Sequence, residues 1–98
     1  MKSKETLVSI IMPVFNGEDH LKLSIESILN QTYKNIEFLI LNDGSTDKTE
    51  KIVKEFKDER IVYFSNKKNI GLTKSLNKLI LKSNGTYIAR QDADDFSE

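Results

Sequence analysis

Along this chain, short apolar runs alternate with segments in which apolar residues recur at the spacing of a helix. A nearly continuous apolar run of a few residues is typical of a strand that is buried on both faces. We therefore predict four strands, of which the first, second and fourth are buried, and the first ends at Pro13, where the backbone lacks an N–H group. The predicted strands are Leu7–Met12, Ile36–Leu41, Ile61–Phe64 and Thr86–Gln91.

The three segments between these strands each carry one apolar face, which predicts three helices. In the first and third segments, leucines and isoleucines fall at i, i+4, i+7 and i+8, which is one face of an α-helix. Asn16 is expected to cap the first helix, and Asn84 with Gly85 is expected to end the third. The predicted faces are Leu21, Ile25, Ile28 and Leu29; Ile52, Val53 and Phe56; and Leu72, Leu76, Leu79 and Ile80.

The resulting order, β-α-β-α-β-α-β, predicts an α/β fold with a Rossmann-like, mostly parallel sheet and helices on both faces. The length of 98 residues allows a single small domain, residues 1–98. In such sheets, ligands bind outside the carboxyl ends of the strands. Three polar sets follow predicted strands and should gather at that edge: Pro13–Asn16, Asn42–Ser45 and Asp92–Asp95.

Composition narrows the classes of function. The formal net charge is zero, so the total gives no reason to expect a nucleic acid or an acidic membrane surface as partner. The absence of cysteine excludes disulfides and thiolate metal sites, and it fits a cytoplasmic location. The apolar run after the charged N-terminus is too short to span a membrane. His20 is the single histidine, so we expect no dedicated zinc site and a solvated role for this residue.

The acidic cluster near the end of the chain is the strongest chemical signal. Asp92, Asp94 and Asp95 place three carboxylates within four positions, directly after a predicted strand. Two unit charges about 4 Å apart repel by about 4 kcal/mol at an effective dielectric of about 20, unless a cation relieves them. Oxygen ligands favour Mg²⁺, Mn²⁺ or Ca²⁺, whose coordination shells are often completed by substrate phosphates. The simpler alternative is a solvated acidic tail.

The two other polar sets favour a nucleotide as the ligand. Asp43 follows the second strand, where its carboxylate can accept a hydrogen bond from a base N–H or a ribose hydroxyl. Pro13–Asn16 would present backbone groups and the ring of Phe15 to a flat ligand. Taken alone, a helix cap at Asp43 and a plain strand end at Pro13 are the simpler interpretations. The sequence lacks the glycine signatures of dinucleotide-binding domains, P-loop NTPases and hydrolase nucleophile elbows.

Together, the motifs resemble one family. Val8–Asn16, Ser27–Tyr33, Leu41–Asp47, Asn69–Leu72 and Gly85–Asp95 are similar, in order and spacing, to segments of family 2 glycosyltransferases with the GT-A fold. The resemblance covers almost the whole chain. It implies the N-terminal, nucleotide-sugar-binding half of such an enzyme, of the nucleotide-diphospho-sugar transferase type, truncated just after the D-x-D motif.

The resemblance implies a donor pocket built from two of the polar sets. Pro13, Val14, Phe15 and Asn16 would line the site for the base and ribose, and Asp43 would accept a hydrogen bond from the base. A UDP-sugar is the favoured donor, because uracil presents an imide N–H to that carboxylate. The acceptor would be a saccharide, such as a cell-surface polysaccharide, or a lipid-linked compound.

The resemblance also implies a metal site at the acidic cluster. Asp94 would bind Mn²⁺ or Mg²⁺ directly, Asp92 would face the ribose or the metal, and Ala93 between them would belong to the donor site. The catalytic base is expected beyond Glu98, so none is named, and this piece alone is expected to be inactive. Some family members carry an arginine in the third helix where this chain has Leu76, so no phosphate-binding cation is assigned there.

Two rival interpretations stay open. One is a non-catalytic nucleotide-binding or assembly module, which would self-associate through an uncovered sheet edge. The other is a receiver-type domain, which needs acids after its first strand as well, and Pro13–Asn16 supplies none. For a longer transferase, the expected location is the cytoplasm or the cytosolic face of a membrane.

Overall fold

The fold follows the predicted alternation of strands and helices. The computed structural model describes residues 6–93, which form four strands and three helices. Three strands extend further at their carboxyl ends than predicted, so that Val14, Asp43 and Asn66 belong to strands. The elements are β1 (Val8–Val14), α1 (Leu21–Leu29), β2 (Ile36–Asp43), α2 (Thr49–Glu55), β3 (Ile61–Asn66), α3 (Leu72–Lys82) and β4 (Tyr87–Arg90).

The strands form one parallel sheet in the order β3-β2-β1-β4. α1 and α2 pack on one face, where Ile25 and Val53 join a core cluster with Phe38. α3 packs on the opposite face, where Leu79 joins a second cluster with Ile11. The predicted α/β fold, with a parallel sheet and helices on both faces, is therefore confirmed.

β1 continues through Pro13 instead of ending before it. On one side, Pro13 pairs with Leu41 of β2. On the other side, the pairing with β4 ends at Ile11, whose carbonyl accepts a hydrogen bond from the N–H of Gln91. Residues two apart in a strand point their backbone groups to the same side, so the nitrogen of Pro13 faces the side where β4 has ended. The missing N–H group therefore costs no hydrogen bond within the sheet.

β4 is exposed, and the prediction of a buried strand at this position is wrong. All four of its residues, Tyr87–Arg90, are open to solvent. The strand lies at the edge of the described sheet and pairs only with β1, whereas α3 packs over β1 and β2. An apolar run thus identified the strand correctly but not its burial, because burial depends on which helix lies over it.

The ends and faces of the helices also differ from the prediction in places. α1 begins at Leu21 with His20 at its N-cap position, so Asn16 is not the cap. On α3 the buried residues are Ser75 and Leu79, whereas Leu72 and Ile80 of the predicted face are exposed. α3 packs mainly over the two central strands, so the flanks of its apolar face extend beyond the surface that it covers. No helix within residues 6–93 has the length and apolarity needed to cross a membrane.

A polar cluster near the amino ends of the strands attaches β4 to the sheet. The buried hydroxyl of Ser9 donates to Oε2 of Glu37 at 2.5 Å and accepts from the N–H of Gly85 at 2.7 Å. The N–H of Asn84 donates to the same oxygen of Glu37. Burial raises the pKa of Glu37, but these hydrogen bonds outweigh it and hold the pKa below the ordinary value.

Gly85 has a different role from the one predicted. It is not in the left-handed conformation that commonly ends a helix. Instead, its backbone passes so close to β1 that a Cβ at this position would lie 2.5 Å from the backbone nitrogen of Ser9. Glycine is therefore required by the close approach of two backbones.

Candidate functional site

The carboxyl ends of β1 and β2 open onto two adjacent cavities. Both are lined by Pro13, Val14 and Phe15, which run from the end of β1 into the following loop. The cavity on the α3 side has a volume of about 210 Å³. The cavity on the α1 side has a volume of about 280 Å³. Both lie where a parallel sheet is expected to bind a ligand.

The α3-side cavity brings Asp43 next to Pro13, Val14 and Phe15 at the carboxyl end of β1, the edge at which these sets were expected to gather. The ring of Phe15 is 51% exposed, so one wall of the cavity is a flat apolar surface. The opposite wall comes from the loop between β3 and α3 and from the start of α3. The residues that line this cavity are Pro13, Val14, Phe15, Asp43, Asn69, Gly71, Leu72 and Ser75.

Asp43 holds the β3–α3 loop in place. It is 4% exposed. Its Oδ1 accepts from the N–H of Ile70 at 2.8 Å and from Nδ2 of Asn66 at 2.9 Å, and its Oδ2 accepts from the N–H of Gly71 at 3.0 Å. Burial raises the pKa of this carboxyl, but these hydrogen bonds, with a contribution from Ser75, outweigh it and hold the pKa below its ordinary value. Asp43 is therefore ionised at neutral pH.

The carboxylate of Asp43 thus has a structural role besides the predicted contact with a base. A carboxylate offers about four acceptor positions, and donors from β3 and the β3–α3 loop use three of them. Ser75 also contributes to holding the pKa of Asp43 down, so a ligand donor would share the remaining position with the Ser75 hydroxyl. The contact with a base N–H stays a prediction.

Gly44 allows the β3–α3 loop to lie against the end of β2. Its φ is +71°, in the left-handed region, and a Cβ there would lie 2.5 Å from backbone atoms of Lys68 and Asn69. The side chain of Asn69 donates from Nδ2 to the carbonyl of Asp43 at 3.3 Å. Asp43 at the end of β2 and Gly44 just after it therefore position the β3–α3 loop, which forms one wall of the α3-side cavity.

Asn16 joins the loop after β1 to the loop after β2. Its N–H donates to Oγ of Ser45 at 2.8 Å, and its Oδ1 accepts from the N–H of Thr46 at 2.8 Å. The N–H of Gly17 donates to Oγ1 of Thr49 at 3.1 Å. These bonds fix the direction in which the chain leaves β1. Asn16 lines the α1-side cavity and not the α3-side cavity that contains Asp43, and its predicted role in donor binding stays a prediction.

Asn16 has a φ of +52°, in the left-handed region. Two substitutions therefore distinguish the contribution of its hydrogen bonds to stability from the cost of its backbone conformation. Asn16→Gly removes the Oδ1 acceptor but tolerates a positive φ, and we expect it to lower the free energy of unfolding by about 1 kcal/mol. Asn16→Ala adds left-handed strain, and we expect a loss of about 2 kcal/mol. Urea unfolding of the two variants and the wild type measures both losses. Equal stability of the two variants would contradict a contribution from backbone strain.

The chain that follows β4 forms part of the wall of the α1-side cavity. The hydroxyl of Ser24 in α1 donates to the carbonyl of Ala93, which brings this segment across the end of β1. Ala93 lines the cavity together with Gly17 and His20. His20 is exposed, as predicted, but its place beside a cavity was not predicted.

Asp92 follows β4 at the same edge of the sheet, but it lines neither of the two cavities. Its Oδ1 accepts from Nε of Arg90 at 3.0 Å, and both side chains are about half exposed. Asp94 and Asp95 lie outside the described residues. Within residues 6–93, no group of three or more His, Cys, Asp or Glu side chains could hold a metal ion. Asp92 has carboxylate oxygens of the kind that Mg²⁺ and Mn²⁺ prefer, but one of them is paired with Arg90, and the assignment of Asp92 and Asp94 to a metal stays a prediction.

The β3–α3 loop is the part of the site that the sequence interpretation missed. The rule on strand ends applies to β3 as well, and a polar loop follows it, so this segment had a usable signal. It was not used because the segment has no carboxylate, and the resemblance at Asn69–Leu72 implied no site role for these residues. The missed residues are Asn69, Gly71, Leu72 and Ser75.

Comparison with known proteins identifies the family. The family model described as glycosyl transferase family 2 matches residues 9–98. The chain belongs to glycosyl transferase family 2. An uncharacterized glycosyltransferase of Haemophilus influenzae is 46% identical over 94 residues, which cover 94% of this chain and 29% of the relative.

A second relative of this family 2 chain has a specific name. The Escherichia coli protein named UDP-Glc:alpha-D-GlcNAc-diphosphoundecaprenol beta-1,3-glucosyltransferase WfaP is 42% identical over 90 residues, which cover 92% of this chain and 36% of WfaP. The chain thus spans about a third of the length of these two relatives.

Solved structures agree with the fold of this family 2 chain. Staphylococcus aureus TarS 1–349 in complex with UDP-GlcNAc has a TM-score of 0.86 at 25% identity, covering 91% of this chain and 27% of that one. The mannosyltransferase PcManGT from Pyrobaculum calidifontis, in complex with GDP-Man and Mn²⁺, has a TM-score of 0.85 at 22% identity, covering 91% and 28%. The predicted fold of the GT-A type is confirmed.

Proposed function

We propose that this chain forms the donor-binding part of a glycosyltransferase that transfers a sugar from a nucleotide diphosphate to an acceptor. The observation that carries the proposal is the α3-side cavity, where ionised Asp43 and the exposed ring of Phe15 meet at the carboxyl ends of β1 and β2. A flat apolar wall beside a charged acceptor suits a nucleobase that has an imide N–H, such as uracil.

In the proposed complex, each part of the cavity has a separate task. Phe15 stacks against the base, and Asp43 accepts its N–H in the remaining acceptor position. Pro13 and Val14 shape the floor between these two residues. The name of WfaP specifies UDP-Glc, and TarS has been solved with UDP-GlcNAc and with UDP, which supports a UDP-sugar as the donor. The acceptor, a saccharide or a lipid-linked compound, and the catalytic base are assigned to no residue of this chain.

A divalent cation, Mn²⁺ or Mg²⁺, is part of the proposal. Asp94 and Asp92 would hold it through carboxylate oxygens, the ligands that hard cations prefer. A cation bound there supplies charge stabilisation for the leaving nucleoside diphosphate as the sugar bond breaks. The complex of PcManGT with GDP-Man and Mn²⁺ supports this choice of cation.

Thermal melting with UDP, GDP or dTDP, each with and without Mn²⁺, tests the proposal. A ligand at about 100 times its Kd stabilises a protein by about 2.7 kcal/mol, which raises the Tm of a domain of this size by about 10 °C or more. We expect the largest increase with UDP and Mn²⁺ together. A folded sample that shows no metal-dependent shift with any of the nucleotides would contradict the proposal.

Asp94→Ala tests the metal ligand separately. We expect this variant to lose the Mn²⁺-dependent part of the shift and to keep the part that UDP gives alone. Glu98→Ala removes one negative charge from the same end of the chain and serves as the control. If both variants lost the metal-dependent part equally, the effect would come from the overall charge and not from coordination by Asp94.

A further inference from the structure

The apolar face of α1 carries a fully buried hydroxyl. Ser24 is 0% exposed and lies on the same face of the helix as Leu21 and Ile25, which belong to the core cluster on this side of the sheet. A hydroxyl that is buried among aliphatic side chains costs free energy unless it is hydrogen-bonded. Alanine would suit the same position in a helix without that requirement. The reason for a serine here should therefore lie in what its hydroxyl binds.

This hydroxyl binds the segment that follows β4. It donates to the carbonyl of Ala93, sixty-nine positions later in the chain. The carbonyl belongs to the peptide bond that joins Ala93 to Asp94, and Asp92 comes directly before Ala93. A hydrogen bond from α1 thus reaches the backbone between the two carboxylates that are predicted to bind a metal.

Small side chains allow this segment to lie against the loop that follows β1. A Cβ at Gly17 would be 3.6 Å from the Cβ of Ala93, which is ordinary van der Waals contact, and both residues line the α1-side cavity. Ala93 also packs against the core cluster that contains α1. Packing therefore sets the position of Ala93, and the hydrogen bond from Ser24 sets the direction of its carbonyl.

The backbone is held on both sides of Asp92. Before it, the N–H of Gln91 donates to a carbonyl of β1 at 3.0 Å, and after it, the carbonyl of Ala93 accepts from Ser24. The side chain of Asp92 is 47% exposed, and within residues 6–93 only its Oδ1 accepts a hydrogen bond, from Arg90. A held backbone with an open carboxylate suits a residue that binds a ligand, because less of the chain has to be ordered when the ligand arrives.

We propose that Ser24 is a positioning residue for the cation of the donor complex. Because it is fully buried, it would touch neither the nucleotide nor the cation. It acts through the peptide of Ala93, whose orientation directs the two carboxylates beside it. The inference rests on the proposed function, in which Asp92 and Asp94 hold Mn²⁺ or Mg²⁺. Removing a group that orients metal ligands from behind typically weakens metal binding by about 10- to 100-fold.

Ser24→Ala tests this role. The metal-dependent part of the thermal shift is measured at a fixed, saturating concentration of UDP while the concentration of Mn²⁺ is raised. We expect the variant to need at least about tenfold more Mn²⁺ than wild type to reach half of this shift. The shift with UDP alone should stay unchanged, because the α3-side cavity does not include Ala93. The variant should fold, since alanine suits both a helix and an apolar face.

Ile25→Val is the matched control. It changes the next residue of α1, which is also 0% exposed, and it lowers stability because it leaves a small cavity in the core. It keeps the hydrogen bond from Ser24 to Ala93. We therefore expect it to need the same concentration of Mn²⁺ as wild type, even though its melting temperature without ligand is lower.

Two outcomes would overturn the inference and leave the proposed function standing. One is an equal Mn²⁺ requirement in Ser24→Ala and wild type, which would make Ser24 a residue of the core alone. The other is an equally raised requirement in Ser24→Ala and Ile25→Val, which would trace the effect to stability. If wild type itself shows no metal-dependent shift, the proposed function fails at its metal site and the role of Ser24 fails with it. The titration of wild type therefore distinguishes the two failures.

Discussion

Replacing Asp43 by alanine is expected to lower the free energy of unfolding by about 3 kcal/mol, because three donors lose their acceptor at once. The N–H groups of Ile70 and Gly71 and Nδ2 of Asn66 all donate to this carboxylate. Each donor that is left partly buried without a partner costs about 1 kcal/mol or more. A domain is stable by only about 5–15 kcal/mol in total, so urea unfolding should detect the loss readily. A midpoint equal to that of wild type would contradict the role of Asp43 in holding the loop.

The same carboxylate should make stability depend on pH in a defined direction. Its pKa in the folded state lies below the ordinary value. Its contribution is therefore fully present above the unfolded pKa of about 4 and is lost as the pH falls through the folded value. Wild type should lose more stability than Asp43→Asn over this acidic range, because the amide takes up no proton. Identical losses in the two proteins would contradict the assignment.

Asn66→Ala separates the two roles of Asp43. It removes one donor and leaves the carboxylate intact, so it should cost about 1 kcal/mol of stability. We expect its thermal shift with UDP to equal that of wild type, whereas Asp43→Asn should reduce the shift with or without Mn²⁺. If the two variants reduced the shift equally, Asp43 would act on the cavity only by holding the β3–α3 loop.

Gly85→Ala is expected to destabilise the fold by about 3 kcal/mol, through a clash between backbones. A Cβ at this position would lie 2.5 Å from the nitrogen and 2.6 Å from Oγ of Ser9, and 2.9 Å from the carbonyl of Leu7. β4 would have to move away from β1, and the hydrogen bond from Gly85 to the Ser9 hydroxyl would be lost. Hydrogen exchange at the amides of β4 should therefore become faster, and urea unfolding should begin at a lower concentration.

Gly71→Ala is the control for this substitution. Gly71 has a φ of +96°, and a Cβ there would contact nothing within 4 Å. Its replacement adds backbone strain of about 1–3 kcal/mol, because a φ of +96° with a ψ of +162° is a conformation that almost only glycine adopts. It should leave the exchange of β4 amides unchanged, so equally fast exchange of these amides in the two variants would contradict a specific clash at Gly85.

The general architecture and half of the site could be predicted because they depend on local patterns. Apolar runs and helical spacing fixed the order of the elements, and the rule on parallel strand ends brought Phe15 and Asp43 together. The burial of β4 could not be predicted, since it depends on which strand lies at the edge. Likewise, the spacing of Leu72 and Ile80 indicates a helical face but not how much of it the sheet covers.

The hydrogen bonds that shape the site could not be predicted from the sequence either. Asn16 and Thr46 are thirty positions apart, and Asp43 and Ile70 are twenty-seven apart. A polar loop residue has many potential partners at such distances, and only the folded sheet selects one.

The strand order β3-β2-β1-β4 places the last described strand beside the first. Residues from both ends of the chain, Pro13–Phe15 and Asp92–Ala93, therefore reach the same edge only after β4 has paired with β1. During synthesis on a ribosome, β1, β2 and β3 leave the exit tunnel well before β4 does. The α3-side cavity is lined by residues up to Ser75 only, so it can form before β4 has paired with β1. The α1-side cavity includes Ala93 and can form only after that pairing.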